Sequence, residues 1–361
     1  LQLKFGDDES ANKVMSRRLL LTAPRECPGP LTALRNIKAV LADKLDCDLF
    51  VLEDLIFPIK VSDKSLQKQL VRVQRRLKIV TLDKLLPYGD NIIFASFEPI
   101  IVHLITELAK KGIRPSVMWC STLSQAELVL PEIGLLKILF DLLQAGKIKH
   151  LMAHRRIFES YGYFIKKAVL FPHPIDLQIF EPVKKQQLEG SNLDLFCRPR
   201  LGKNILTQIL GFKMAEIDAK LHINFDLGKL GKIVEAIGVK PIVHHWLPEL
   251  DYYGLIAGMD LSLQVTFGES FNYAVAERMA LRVPVLATFN IYLLAEDQFL
   301  SKYLCVSAID TPKAIAQAIK QIVKEKNLRD ELAHCCRERI EAVSRQNNQI
   351  VRDVAVSLFG Q

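Results

Sequence analysis

Two glutamates, Glu269 and Glu277, stand eight residues apart with Phe271, Asn272 and Tyr273 between them. The apolar run 260–265 reads as a strand entering this segment and 284–287 as the next strand, so Glu269 falls in a strand-to-helix turn and Glu277 inside the helix. Parallel α/β sheets bind ligands at the carboxyl ends of their strands. The first turn of the helix, near Asn272, offers unpaired backbone N–H groups and the positive end of a helix dipole, which suit a diphosphate. Glu277 then lies roughly 8 Å along the axis at ~1.5 Å per residue. Two carboxylates so placed suit the two ends of an extended polar ligand such as a nucleotide sugar. The neighbours of Glu277 at i±3 and i±4 are Tyr273, Ala274, Ala280 and Leu281. None is basic, so an ion pair at helical spacing does not account for it. An exposed helix charge is the plain alternative.

A second cluster precedes the first by some 70 residues. The segment 195–204, Leu-Phe-Cys-Arg198-Pro-Arg200-Leu-Gly202-Lys203-Asn204, reads as a strand running into a loop that opens a helix, with three cations and a glycine at the bend. Cations and free N–H groups converging on one loop suit a phosphate. Three solvated cations at a domain edge are the competing reading.

The elements that must hold these clusters follow from the alternation of short apolar runs with helical patterns, the mark of parallel βαβ units. Strands are expected at 19–22, 49–52, 78–82, 91–95, 116–119, 149–152 and 168–171, then at 193–197, 221–224, 241–244, 260–265, 284–287 and 304–307. Two doubly wound sheets are more economical than one of that width. The break falls at 171–182, where three prolines resist helix, followed by the polar stretch 184–192.

The segment from Glu269 to Val285 resembles the E-x7-E signature of retaining glycosyltransferases with the GT-B fold, the glycogen-synthase-like and sucrose-synthase-like group. Glu269, Phe271, Glu277, Met279, Ala280, Pro284 and Val285 carry the likeness. Ser270, Asn272 and Arg282 depart from it where many members have glycine, though Ser and Asn can still cap a helix. The Pro-rich turn with Asp176 and Phe180-Glu-Pro182 is similar to the family's interdomain linker. The resemblance implies an α/β chain of GT-B architecture: two Rossmann-like doubly wound domains facing a cleft, with a C-terminal helix crossing back to the first. The expected bounds are an acceptor-binding domain at 1–175, a donor domain at 176–340 and the helix at 341–361.

The resemblance further implies transfer of a sugar from a nucleotide-sugar donor to an acceptor hydroxyl, with retention and without a metal or resident cofactor. The nucleotide sugar is a co-substrate. Arg198 and Lys203 have the five-residue spacing of the family's diphosphate-binding Arg and Lys, with Arg200 a rival to Arg198. Glu269 would hold sugar hydroxyls and Glu277 the ribose diol. Phe271, Asn272 and Tyr273 would line the donor site, with Trp246 and Leu247, after the strand at 241–244, near the base. The acceptor would be a glycan, a lipid-linked molecule or a protein. Acceptor-side candidates at strand ends of the first half are Arg25, Gly29, Ser96, Ser121 and His154, although a histidine the family often places there is not found at the matching loops. A second class of function is a GT-B-like accessory subunit, catalytically inactive, that stabilises a partner or binds glycan.

Composition narrows the rest. The 361 residues suffice for two domains, half are hydrophobic, and no apolar run approaches a membrane span of ~18–20 residues. Seven cysteines without a C-x-x-C pair point to a reducing, cytoplasmic setting. The chain opens with Leu1, an indication that residues precede it. Up to Asp176 there are 26 Lys/Arg against 19 Asp/Glu, and 22 against 21 beyond it. The first half therefore carries the basicity. Its residues 64–78 set Lys64, Lys68, Arg72, Arg75 and Arg76 opposite Leu66, Leu70, Val73 and Leu77. Such a helix either rests on anionic lipid at the inner face of a membrane or is a packed helix with a solvated basic face. A dinucleotide-dependent oxidoreductase would want G-x-G-x-x-G after the first strand, where Cys27-Pro-Gly-Pro30 stands. No nucleic-acid-binding module is recognisable. His244-His245 on an extended segment point to opposite faces and make a poor metal pair. Asp46-Cys-Asp48 reads as a chance D-x-D placed before the strand at 49–52.

Overall fold

The computed structural model describes residues 18–24, 28–52, 82–120, 122, 130–161, 165–245 and 247–360. Arg25, Ser121, Trp246, the basic 64–78 stretch and nearly all of the 78–82 run lie outside them. The chain divides into two compact units, one of Leu1–Cys120, Pro131–Ile175 and Asn347–Gln361, the other of Ser121–Leu130 and Asp176–Gln346.

The first unit alternates β1 (Arg18–Pro24), α1 (Pro28–Leu41), β2 (Asp46–Leu52), β3 (Ile92–Ala95), α2 (Pro99–Lys110), β4 (Ser116–Trp119), α3 (Leu130–Gln144), β5 (Leu151–Ala153), α4 (Arg155–Tyr161) and β6 (Ala168–Leu170). Its described strands order as β2-β1-β3-β4-β5-β6 and every pairing is parallel. β1 lies between β2 and β3, and its Leu19-Leu20-Leu21 is buried on both faces, as a sheet covered by helices on both sides requires. α2 shows why these segments are helical. Pro99 sits in its first turn, and Ile100, Ile101, Leu104, Ile105 and Leu108 form one buried stripe.

One expectation is corrected here. Asp46-Cys-Asp48 does not precede the second strand but begins it, pairing with β1 from Arg18↔Asp46 onward. The two carboxylates tolerate strand positions because each is satisfied: Asp46 accepts from Arg18 Nε at 3.1 Å, and Asp48 from the Tyr88 hydroxyl at 2.6 Å.

The second unit runs β7 (Ser191–Leu195), α5 (Ile205–Met214), β8 (Ala219–Ile223), α6 (Gly231–Ala236), β9 (Ile242–Val243), α7 (Glu249–Ala257), β10 (Leu261–Leu263), α8 (Tyr273–Ala280), β11 (Val285–Thr288), α9 (Tyr292–Ala295), α10 (Gln298–Leu304), β12 (Cys305–Val306) and α11 (Pro312–Lys324). The parallel order β12-β11-β10-β7-β8-β9 is that of a dinucleotide-type doubly wound sheet, with its switch point between β7 and β10. Gly211 on α5 lets α11 approach closely, since a Cβ there would stand 2.7 Å from Ile315 Cγ2.

The last helix, α12 (Lys326–Phe359), begins in the second unit and ends in the first. Arg337 Nη1 donates to the Ala280 carbonyl at 2.7 Å and Arg339 Nε to that of Leu293 at 3.1 Å. Further on, Asn347 donates to the His173 carbonyl, Asn348 exchanges two bonds with the Ile175 backbone, and Arg352 donates to Val40. No described helix is long and apolar enough to cross a membrane.

Candidate functional site

The loops after β7 and β10 leave the sheet side by side at the switch point, and both sequence clusters sit on them. Lys203 ends a short 3-10 turn, and its Nζ lies 2.5 Å from Glu269 Oε1, both side chains being nearly buried. Arg200 Nη2 is 3.8 Å from the other oxygen of Glu269. Arg198 and Arg200 are both exposed on this loop. The two loops are tied by backbone, with the Phe267 amide donating to the Gly202 carbonyl at 2.9 Å. Gln208, fully buried on α5, reinforces the tie: its Nε2 donates to the Lys203 carbonyl and its Oε1 accepts from the Val265 amide, both at 2.8 Å. Sequence reading missed Gln208, because only the fold brings its two partners within reach.

Asn272 caps α8, its Oδ1 accepting from the Val275 amide at 3.3 Å, and it adopts the left-handed conformation at φ 65°. Asparagine tolerates that region. Among the described residues its Nδ2 and the Thr266 Oγ1 are buried without a hydrogen-bond partner. Buried polar atoms are normally satisfied, so these two mark a place suited to a polar ligand. Phe271 turns inward, its ring edge-on to Tyr273 at 4.8 Å and tilted against Tyr292 at 5.9 Å, and so packs the turn that carries Glu269.

Glu277 occupies the fifth position of α8, with its side chain 18% exposed. The absence of a basic residue at i±3 and i±4 does not leave it without a cation: the adjacent Arg278 brings Nη1 to 3.6 Å from Oε2. The Glu277 carboxyl is raised to about 7, chiefly by burial, with Arg278 pulling it down and Glu249 and Asp194 adding to the rise. Arg278 itself is wholly buried. Its Nη2 reaches Asp194 Oδ1 at 2.9 Å, and its Nε reaches Ser262 Oγ at 2.8 Å. Nη1 donates to the Ala274 carbonyl at 3.0 Å, and Nη2 also reaches the Tyr252 hydroxyl oxygen at 3.3 Å.

Leu247 is half-buried against Phe196, Leu255, Ile256, Met259 and Val283. Beside it, His244 and His245 diverge as expected of extended chain, His245 being exposed. The Asn192 amide nitrogen donates to the Glu189 and Gly190 carbonyls, so its oxygen accepts from His222 Nε2 at 2.9 Å. The other His222 nitrogen, Nδ1, must then accept from His244 Nε2 at 2.8 Å. Burial lowers His222 to about 4, which keeps it neutral and this arrangement fixed.

In the first unit Gly29 is exposed in the first turn of α1. Ser96 follows β3 in the left-handed region at φ 84°, its hydroxyl 3.4 Å from Glu98 Oε1. His154 directly follows β5 but is 1% exposed and stacks on His173 at 5.5 Å. Burial holds its pKa well below the ordinary value, so the ring is neutral.

No protein-family model and no curated protein matches the chain. Solved structures do. HepE of Anabaena, in complex with UDP and glucose, superposes with a TM-score of 0.68 at 13% identity over 96% of this chain and 100% of that one. The sucrose-phosphate synthase of Thermosynechococcus elongatus gives 0.65 at 14%, over 94% and 100%. A mutant of S. aureus TarM, in complex with fondaparinux, α-GlcNAc-glycerol and UDP, gives 0.59 at 15%, over 78% of this chain and 57% of that longer one. The chain has the GT-B fold. At such identities the likeness is one of fold. Within this GT-B fold, Lys203, Arg200 and Glu269 gather at the switch point of the second unit, and Glu277 is fixed on the helix that begins there.

Proposed function

We propose that the protein is a nucleotide-sugar-dependent, retaining glycosyltransferase that needs no metal ion. The observation that carries this reading is the near-buried Lys203–Glu269 pair at the β7/β10 switch point, 2.5 Å apart and flanked by Arg200. Isolated buried charges are costly, and a cation and a carboxylate held at a strand-end loop beside a helix start suit a diphosphate on one side and sugar hydroxyls on the other. In the reaction the bond from the anomeric carbon to the β-phosphate oxygen breaks and a bond to the acceptor oxygen forms on the same face. The acceptor proton passes to the departing diphosphate. Negative charge growing on that diphosphate is stabilised by Lys203, the Arg198 and Arg200 loop, and the first amides of α8. Glu269 orients the sugar and Glu277 accepts from the ribose diol. Neither acts as a general acid.

The test is a thermal-shift panel of UDP, GDP, ADP, TDP and CMP with and without EDTA. UDP is the first to try, since HepE and TarM were solved with it. At about 100 times its dissociation constant a nucleotide stabilises by ~2.7 kcal/mol. A shift with one of them that survives EDTA, followed by transfer from the matching nucleotide sugar, is the expected result. No shift with any of them overturns the proposal.

A further inference from the structure

Stability is a weak reason for burying the Arg278–Asp194 pair, because replacing a buried ion pair with apolar residues of similar volume is often neutral or stabilising. What the guanidinium touches is more informative. It joins β7 through Asp194, β10 through Ser262, α7 through Tyr252, and its own helix through Ala274. β7 and β10 lead to the loops of Lys203 and Glu269, and α8 carries Glu277. Nη1, the donor to the Ala274 carbonyl, also lies 3.6 Å from the Glu277 carboxylate.

We propose that Arg278, clamped by Asp194, Ser262 and Tyr252, is a positioning residue that keeps the Glu277 carboxylate aimed at the vicinal diol of a bound ligand and favours its charged form. The diol rests on the glycosyltransferase reading; the clamp does not. The groups facing Glu277 are Arg278 on its own helix, Glu249, Tyr252 and Tyr253 from α7, and Asp194 from β7. Arg278 is the one cation among them. A protonated carboxyl would give one oxygen over to donation and lose the arrangement of one diol hydrogen on each charged oxygen, so charge and aim serve the same end.

The experiment follows the Glu277 carboxyl by carbon NMR in glutamate-labelled protein, its signal assigned by its loss in Glu277→Gln. Burial, partly offset by Arg278, places the wild-type midpoint near 7. The double variant Asp194→Asn/Arg278→Met removes both buried charges at similar volume and so remains folded even if Arg278→Met alone does not. Arg278 bears on Glu277 more strongly than Asp194 does, so the midpoint should rise in the double variant. Nucleotide affinity should then fall at neutral pH by about tenfold for each unit of that rise and recover in alkali. Arg278→Lys should restore the midpoint in part. A purely structural clamp would weaken binding equally at every pH. An unmoved midpoint in the double variant overturns the proposal. A wild-type protein that binds no nucleotide would overturn the glycosyltransferase reading instead, and the carboxyl titration would still decide the clamp.

Discussion

At the switch point of the first sheet β1 and β3 pair Leu20 with Ile92, Leu21 with Ile93 and Thr22 with Phe94, all buried. At the corresponding place in the second sheet, β7 and β10 bring Asp194 and Ser262 together among leucines, with Asn192 and Gln264 buried just beyond. Both sheets follow the same parallel plan, so the difference is not one of architecture. The first pair is apolar but for the Thr22 hydroxyl and contributes chiefly burial. The polar pair gives up some of that burial to hold Arg278 in place and, through Gln264 Nε2 and the Phe196 carbonyl, to tie one loop to the other. The first sheet is built to be stable, and the second is built also to keep charges still.

The sharpest way to break this contrast is Asp194→Ala, which strands a buried guanidinium. We expect a loss of roughly 3–5 kcal/mol in chemical denaturation; a loss below about 1 kcal/mol would mean the charge is not confined as described. Leu21→Ala in the dry sheet should cost about 2–5 kcal/mol as a cavity, with turnover per folded molecule unchanged. A fall in turnover there would remove the division of labour. Lys203→Ala should behave in the opposite manner, lowering transfer by about 10²–10³-fold while moving the unfolding midpoint less than Asp194→Ala does, since Arg200 still stands by Glu269.

Glu277→Gln tests the same polarity through pH. The Glu277 carboxyl is raised from 4.5 to about 7 in the fold, chiefly by burial. Between those values the folded chain keeps a proton that the unfolded chain releases, so wild-type stability falls as pH rises through that window. The variant lacks this loss. It should be more stable than wild type by on the order of 1 kcal/mol at pH 8, with the gain fading towards pH 5, and equal stability at all pH would show that Glu277 titrates normally. The smallest effect concerns Arg282, exposed at φ 60° after α8. Its replacement by glycine should add roughly 1 kcal/mol by relieving the left-handed backbone, read as a higher melting temperature with donor binding unaltered.

Much of this is legible in the chain. Apart from 78–82, which lies almost wholly outside the described residues, every apolar run expected to be a strand overlaps one, because strands buried on both faces need unbroken hydrophobic runs. The same physics blurs β2, whose Asp46 and Asp48 look like loop residues until Arg18 and Tyr88 are seen to satisfy them. Glu269, Lys203 and Asn272 follow from spacing, since a turn between a strand and a helix is a local matter. Arg278 escapes a sequence reading, because an arginine on a helix is ordinarily solvated. A signal is nonetheless present: Arg278 shares a face with Val275 and Met279, and Asp194 is a lone acid inside Leu193–Leu195.

The sequence by itself determined the two alternating α/β units, the loops that hold the cations and carboxylates, and the helix that begins at Asn272. Those rest on patterns spanning a few residues, and hydrophobic periodicity and capping act over that range. Only the tertiary structure decided that β7 lies beside β10, that Arg200 stands 3.8 Å from Glu269, and that Arg278 is clamped next to Glu277. Asp194 and Arg278 are 84 residues apart in the chain. A charge pair at that separation is set by the order of the strands, which local pattern leaves open.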